Sequence, residues 1–416
     1  MAAGGLEALL GMLGGAGGDP SALAGIWENP MVAQIAFHPS KVEPDHLDAT
    51  SGPIRDGTFE VSGGDKVSYR FYLPPEGKDI RVVCYFFHGN AEVCTAMDDV
   101  AEMLHEHGAA LLSIDYRGYS WGTGSPNLTK LCDDAEQCFL SSEALLIGAG
   151  CGAIKRVMHG RSIGATCAVH LASKFASRVH GLIIDSGLMS VKQLSMVKQM
   201  APMLFAGNPQ MFEQLPEPFD TLGKLSAISC PTLVMHGDKD EIVDYEQATQ
   251  CLAKCAAQDK KLQTWPGGGH NNILMIHGAA WRKEVETLLE KARDYVCEFP
   301  AGALVEAHSL TGAAELNGQQ GRVLGPQGER IKVMFPDPHK DKALKPTNLK
   351  LLPEADILDF PVGCTVEAHS LASAPELNGA RGKVVGFKGC ERLRVSLPSG
   401  EKALKPANLK VAAKDV

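Results

Sequence analysis

Val157-Met158-His159-Gly160-Arg161-Ser162-Ile163-Gly164-Ala165-Thr166 joins a short apolar run to a serine bounded by two glycines. The order of residue types predicts a strand, a sharp turn and the start of a helix. Gly160 and Gly164 leave room for strand and helix to pack closely around a strained Ser162. That strain would expose the hydroxyl, and the following helix would aim its positive N-terminal end at it. A Gly-x-Ser-x-Gly turn of this kind predicts a serine nucleophile. Five-residue patterns also recur by chance, so the rest of the chain must decide.

On both sides the chain alternates strand-like and helix-like segments. Thr58–Val61 and Lys66–Tyr72 flank Gly63-Gly64-Asp65 and predict a hairpin. Arg81–Phe87 holds an unbroken apolar run, as a central buried strand requires, and ends at His88-Gly89-Asn90. Residues 96–107 read as a helix, Ala109–Ile114 as a strand ending at Asp115, and residues 129–148 as a helix. After the serine turn come a helix to about 176, a strand Val179–Ile184 closing on Asp185, and a strand Pro231–Met235 leading into His236-Gly237-Asp238-Lys239-Asp240. The last strand, Lys261–Trp265, precedes Gly269-His270-Asn271-Asn272, and a helix from about 279 to 296 closes the unit. Such alternation predicts an α/β fold: a mostly parallel sheet with helices on both faces. Residues 188–227 interrupt the rhythm with Met, Leu, Phe and four prolines, and predict either a short cap over a pocket or a plain helical excursion.

Composition bounds the remainder. The 416 residues are 44% hydrophobic and 21% charged, ordinary for a soluble globular protein of two or three domains. No run of eighteen apolar residues occurs, so no membrane span is predicted. Twelve cysteines are scattered without zinc spacing or a CxxC pair, which favours free thiols in a reducing compartment. Cys251 and Cys255 are expected to be buried small residues. Net charge is −9: residues 299–416 carry 16 Lys and Arg against 13 Asp and Glu, the rest 24 against 36. That tail is too weakly basic to argue for nucleic acid. Residues 1–54 read as an N-terminal arm. Its apolar cluster from Leu6 to Leu13 lacks the preceding positive charge of a secretory signal.

The chemistry-bearing residues fall at strand carboxyl ends, where open α/β sheets place their sites. Ser162 would attack a carbonyl carbon, and His270 would take its proton and return it to the leaving group. Asp240 would hold the imidazole tautomer, although Asp238 shares its loop and Asp185 ends an earlier strand. The backbone N–H groups of Asn90 and Ile163 would form an oxyanion hole, each donor worth about 3 kcal/mol of transition-state stabilisation. His88, His159 and His236 are expected to be structural, and Asp115 to cap its turn.

In these motifs residues 55–297 resemble the α/β-hydrolase superfamily of serine hydrolases. The resemblance is carried by His88-Gly89-Asn90-Ala91, Asp115-Tyr116-Arg117-Gly118-Tyr119-Ser120, Gly160–Gly164, His236-Gly237-x-x-Asp240 and Gly269–Asn272. In detail the segment is similar to the branch of abhydrolase-domain protein 17-like depalmitoylases and related eukaryotic esterases. The resemblance implies Asp240 as the acid, the order Ser, Asp, His, no cofactor and no metal. It also implies a small-molecule or acyl-protein ester substrate, and a cytoplasmic chain or one held at a membrane surface. Those depalmitoylases carry an N-terminal cysteine cluster; residues 1–25 hold none.

Residues 298–353 and 358–412 repeat one another at an offset of about 61. Val305-Glu306-Ala307-His308-Ser309-Leu310 matches Val366–Leu371, and Glu315-Leu316-Asn317-Gly318 matches Glu376–Gly379. Ala343–Lys350 matches Ala403–Lys410. Four or five short strands in about 50 residues predict a small barrel in each copy. The copies resemble SH3-like or KOW-like barrels, which implies binding of peptide or nucleic acid; a protein partner is the expectation, since the tail is too weakly basic to argue for nucleic acid. His308 and His369 are expected to serve turn or core roles rather than to bind metal. Two functions therefore stand: a serine hydrolase acting on esters or thioesters through an acyl-serine, or a catalytically silent hydrolase-fold scaffold whose barrels bind peptide or nucleic acid.

Overall fold

The apolar run after Arg81 forms a strand at the centre of an eight-stranded sheet, all six of its residues, Val82–Phe87, being buried. In this computed structural model the described residues are 25–28, 30–47, 52–151, 154–204, 209–299, 303–327, 330–336, 338–352, 365–371, 374–388, 392–405 and 408–411. The Leu6–Leu13 cluster lies outside them. The chain divides into two units, Met1–Val296 and Cys297–Val416.

In the first unit, β1 (Ile54–Glu60) and β2 (Lys66–Tyr72) form an antiparallel hairpin across a turn with Gly63 and Gly64 at φ 82° and 77°. β2 lies antiparallel to β4 (Ala109–Ile114). From there β3 (Val82–Phe87), β5 (Lys155–Arg161), β6 (Gly181–Asp185), β7 (Thr232–Gly237) and β8 (Lys260–Trp265) run parallel. The order is β1-β2-β4-β3-β5-β6-β7-β8. After β3 the chain winds to one side to make β4, then returns to make β5 on the other. That reversal opens a crevice between the carboxyl ends of β3 and β5, the place where such sheets bind ligands.

Strand alternation decides which helices cover which face. Val83, Tyr85 and Phe87 join one apolar core, packed with Phe139 and Leu171 of α3 (Leu131–Gly148) and α4 (Gly164–Lys174). Val82, Cys84 and Phe86 join the other, packed with Leu104 of α2 (Asp98–Glu106) and Trp281, Val285 and Leu289 of a long C-terminal helix. A short helix, α1 (Pro30–Ala36), precedes the sheet. Between β6 and β7 the excursion is helical: α5 (Ser195–Leu204), α6 (Pro209–Gln214) and α7 (Thr221–Lys224). A cavity of about 420 Å³ lies within it, lined by Met189, Phe212 and Leu222 but also by Lys192, Glu217 and Asp220. α8 (Glu246–Lys254) follows β7.

The C-terminal helix, α9, spans Ile273–Asp294 and so begins six residues before the predicted start at 279. Its first turn, Ile273–Ile276, is set off by a break at His277, whose φ of −124° is not helical. The interruption, followed by Gly278, hid that turn from the periodicity. Cys251 and Cys255 are buried, and among the described residues every free cysteine except Cys297 is buried. No described helix is long and apolar enough to cross a membrane.

The second unit holds two five-stranded antiparallel sheets of the same plan. One orders β12-β11-β10-β9-β13 from β9 (Leu304–Ala307), β10 (Gln320–Gln327), β11 (Arg330–Met334), β12 (Asp341–Leu344) and β13 (Leu349–Leu351). The other orders β17-β16-β15-β14-β18 from β14 (Thr365–Ala368), β15 (Arg381–Lys388), β16 (Arg392–Leu397), β17 (Gly400–Leu404) and β18 (Leu409–Val411). Each closes on its own apolar core, as small barrel-like domains do. The repeated Leu-Asn-Gly has a structural cause. Leu316 is buried, Asn317 accepts from the Leu310 N–H and donates to the Leu310 carbonyl, and Gly318 turns at φ 80°. Leu377, Asn378 and Gly379 repeat this with Leu371. His308 and His369 each lie 3.1 Å from the hydroxyl of the serine that follows them, within their own turns.

Candidate active site

Ser162 stands on the turn between β5 and α4 at φ 52°, a left-handed conformation that disfavours a side chain. The turn is held there by its neighbours. The Ser162 N–H donates to the Asp185 carbonyl at 2.9 Å, and the Leu188 N–H donates to the Ser162 carbonyl at 3.0 Å. A Cβ at Gly164 would overlap the Phe87 carbonyl, and one at Gly160 would overlap Ala165. Both glycines are therefore required by close approach.

His270, on the loop after β8, is nearly buried, with 5% exposure. Its Nε2 lies 3.0 Å from Ser162 Oγ and its Nδ1 2.8 Å from Asp240 Oδ2. The loop is fixed by its own polar groups: Asn272 Oδ1 accepts the Gly269 N–H at 2.7 Å, and Glu241 accepts the His270 N–H at 3.2 Å. Asp240 Oδ1 accepts the Ile242 and Val243 N–H groups at 3.0 and 2.8 Å. Burial by itself would raise the Asp240 carboxyl, but hydrogen bonds from His236 and His270 outweigh it and hold the group well below the usual carboxylate range. Asp240 is thus an anion facing the far nitrogen of an imidazole whose near nitrogen faces a hydroxyl.

The two rival acids are engaged elsewhere. Asp238 accepts the Gly267 N–H at 2.7 Å. Asp185 accepts the Trp281 indole N–H at 3.0 Å, and burial pushes its carboxyl up. His159 is buried between Phe86 and Trp281, and burial brings its imidazole down to about 3, so it is neutral. Burial alone would raise the Asp115 carboxyl, but Ser120 of its own turn and groups outside that turn hold it below the usual range. It reaches from the end of β4 to accept the Cys94 N–H at 2.7 Å and to meet His88 Nε2 at 2.9 Å, because β3 and β4 are neighbours in the sheet. His88 meets the Gly89 carbonyl at 2.8 Å through its other nitrogen. His236 is buried, as expected, yet it also touches the site, with Nε2 3.2 Å from Asp240 Oδ2.

Neither the Asn90 nor the Ile163 backbone N–H has a hydrogen-bond acceptor among the described residues. One follows β3 and the other follows Ser162, on the two sides of the crevice. The Asn90 side chain, which the sequence did not single out, is fully engaged. Its Oδ1 accepts from the His38 N–H at 2.9 Å and the Tyr119 hydroxyl at 2.8 Å, and its Nδ2 donates to the Ala36 carbonyl at 2.8 Å. Ala91 follows at φ 67°, so the turn is strained as well as anchored. Glu92, also not foreseen, accepts the Gly89 N–H at 2.6 Å. No group of His, Cys, Asp and Glu among the described residues is arranged to hold a metal ion.

A mostly parallel sheet with a strained serine after β5, an acid after β7 and a histidine after β8 defines an α/β-hydrolase domain. The family described as "Serine aminopeptidase, S33" matches residues 78–217 and 219–274. Alpha/beta hydrolase domain-containing protein aho-3 of Caenorhabditis elegans is 29% identical over 233 residues, 56% of this chain and 62% of that protein. Protein bem46 of Schizosaccharomyces pombe is 28% identical over 53% of this chain and 72% of its own length. Human alpha/beta hydrolase domain-containing protein 17C is 26% identical over 46% of this chain and 54% of its own length. The chain thus spans less than two thirds of the aho-3 and human 17C proteins. Residues 78–274 have the fold and site plan of an α/β-hydrolase domain and are similar to proteins of the abhydrolase-domain protein 17-like branch.

Proposed function

We propose that this protein is a serine hydrolase that cleaves carboxylic ester or thioester bonds through an acyl-serine intermediate. Ser162 Oγ attacks the carbonyl carbon while its proton passes to His270 Nε2. Asp240 stabilises the imidazolium so formed and keeps the Nδ1 proton on its own side. The negative charge on the former carbonyl oxygen is received by the N–H groups of Asn90 and Ile163, each worth about 3 kcal/mol. The intermediate collapses, the C–O or C–S bond breaks, and the leaving alcohol or thiol takes the proton from His270. Water then attacks the acyl-serine by the same route in reverse, releasing the acid and restoring Ser162.

The observation that carries this reading is the pair of distances around one imidazole, 3.0 Å to Ser162 Oγ and 2.8 Å to Asp240 Oδ2. Both lie in the range a proton transfer needs, without a conformational change. The test is a hydrolysis screen with p-nitrophenyl esters and acyl-thioesters of graded acyl length. Turnover by the wild type that Ser162→Ala abolishes supports the proposal; no turnover of any member contradicts it.

A further inference from the structure

Arg161, the last residue of β5, stands directly before Ser162, and its guanidinium reaches in two directions. Nη1 donates to Glu92 Oε1 at 2.7 Å. The other oxygen of Glu92 accepts the Gly89 N–H at 2.6 Å, one residue before the proposed oxyanion donor Asn90. Nη2 donates to the His270 carbonyl at 3.0 Å and to Asn271 Oδ1 at 2.9 Å. The side chain is 19% exposed and Glu92 is 31% exposed, so the pair is screened only in part.

We infer that Arg161 is a positioning residue that fixes the Gly89-Asn90 loop and the His270 loop relative to Ser162 as one unit. This rests on the reading of Ser162 as nucleophile. The two loops come from β3 and β8, which are not neighbours in the sheet, so no backbone ladder sets their spacing. A planar guanidinium can do so because its donors point along fixed, diverging directions. Lysine offers a point charge on a flexible stem and can serve only one loop well. Without Arg161 the Glu92 carboxylate loses its charge partner and the Gly89 N–H loses a fixed acceptor. The His270 carbonyl is released at the same time. Both the oxyanion donor and the base would then sample misplaced positions, and a displacement of about 1 Å is worth about 100-fold in rate.

The test compares wild type, Arg161→Ala, Arg161→Lys and Glu92→Gln in the full chain, using p-nitrophenyl butyrate turnover and fluorophosphonate labelling. Arg161→Ala is expected to lose about 100-fold in kcat with KM changed less than about 3-fold. Added guanidinium is expected to restore part of that loss, and Arg161→Lys to fall between the two. Rescue and a kcat-only loss are outcomes that a merely structural role would not give. If Arg161→Ala does not fold, Glu92→Gln carries the test, with an expected loss of about 10-fold in kcat alone. Wild-type turnover together with Arg161→Ala or Glu92→Gln at wild-type kcat overturns the inference. An unlabelled, inactive wild type fails the underlying reading instead.

Discussion

His236 and Asp240, four residues apart at the end of β7, meet through Nε2 and Oδ2 at 3.2 Å, on the same oxygen that receives His270. The acid is thus surrounded: His270 and, at longer range, His236 on one oxygen, and two backbone N–H groups on the other, the His236 Nε2–H being shared with the Val243 carbonyl at 2.8 Å. An Asp so surrounded stays ionised, and its charge is what orients His270.

Loss of that charge can be separated from loss of shape. Asp240→Asn keeps the volume but favours the wrong imidazole tautomer, and kcat is expected to fall by about 10⁴. The same variant reports on stability. The folded carboxyl lies below its unfolded value of about 3.9, so its contribution is present above that pH and is lost as pH falls through the folded value. Urea unfolding from pH 7 to pH 3 should show the wild type losing stability below about pH 4 more steeply than Asp240→Asn.

The second imidazole has its own measurable share. His236→Leu removes the donor to the Val243 carbonyl and the contact with Asp240 Oδ2, while His270 and the two backbone donors to Asp240 remain. The expected result is a destabilisation of about 1–3 kcal/mol by urea titration, with kcat lowered far less than in Asp240→Asn.

The strained turn makes two opposite predictions. Gly164→Ala drives a methyl group into the Phe87 carbonyl and should cost about 3 kcal/mol or more, read as a lower urea midpoint. Ser162→Gly relieves a left-handed side-chain conformation and should raise stability by up to about 1 kcal/mol while abolishing turnover. A stability change of the same sign in both variants would contradict this account of the elbow.

The division at Val296 gives a prediction for the repeats. Each sheet of the second unit closes on its own core, so residues 1–296 should keep turnover within about 3-fold of the full chain, measured with the same p-nitrophenyl ester.

Legibility followed the range over which residues act. The central strand at Val82–Phe87 and the serine turn were readable because apolar runs and glycine spacing are local signals. The same holds for the Leu-Asn-Gly turns, whose partners lie seven residues away. Arg161 and Glu92 were not readable: their partners lie 69 and 109 positions apart in the chain, and only the sheet order brings them together. Asp115 was legible only in part: Ser120 lies in its own turn, but its contacts with His88 and Cys94 cross to the segment after β3. His236 was read as structural, which its burial supports, but its contact with Asp240 needed the geometry of the loop.

The central claim is that the Ser162 hydroxyl is made nucleophilic by His270. Its most direct measurement is the rate of covalent labelling by a fluorophosphonate, with the modified residue located by peptide mass spectrometry. The account predicts stoichiometric modification at Ser162 in the wild type, none in Ser162→Ala, and a rate lowered at least about 1,000-fold in His270→Ala. Equal labelling of wild type and His270→Ala, or an adduct on any other residue, would contradict it.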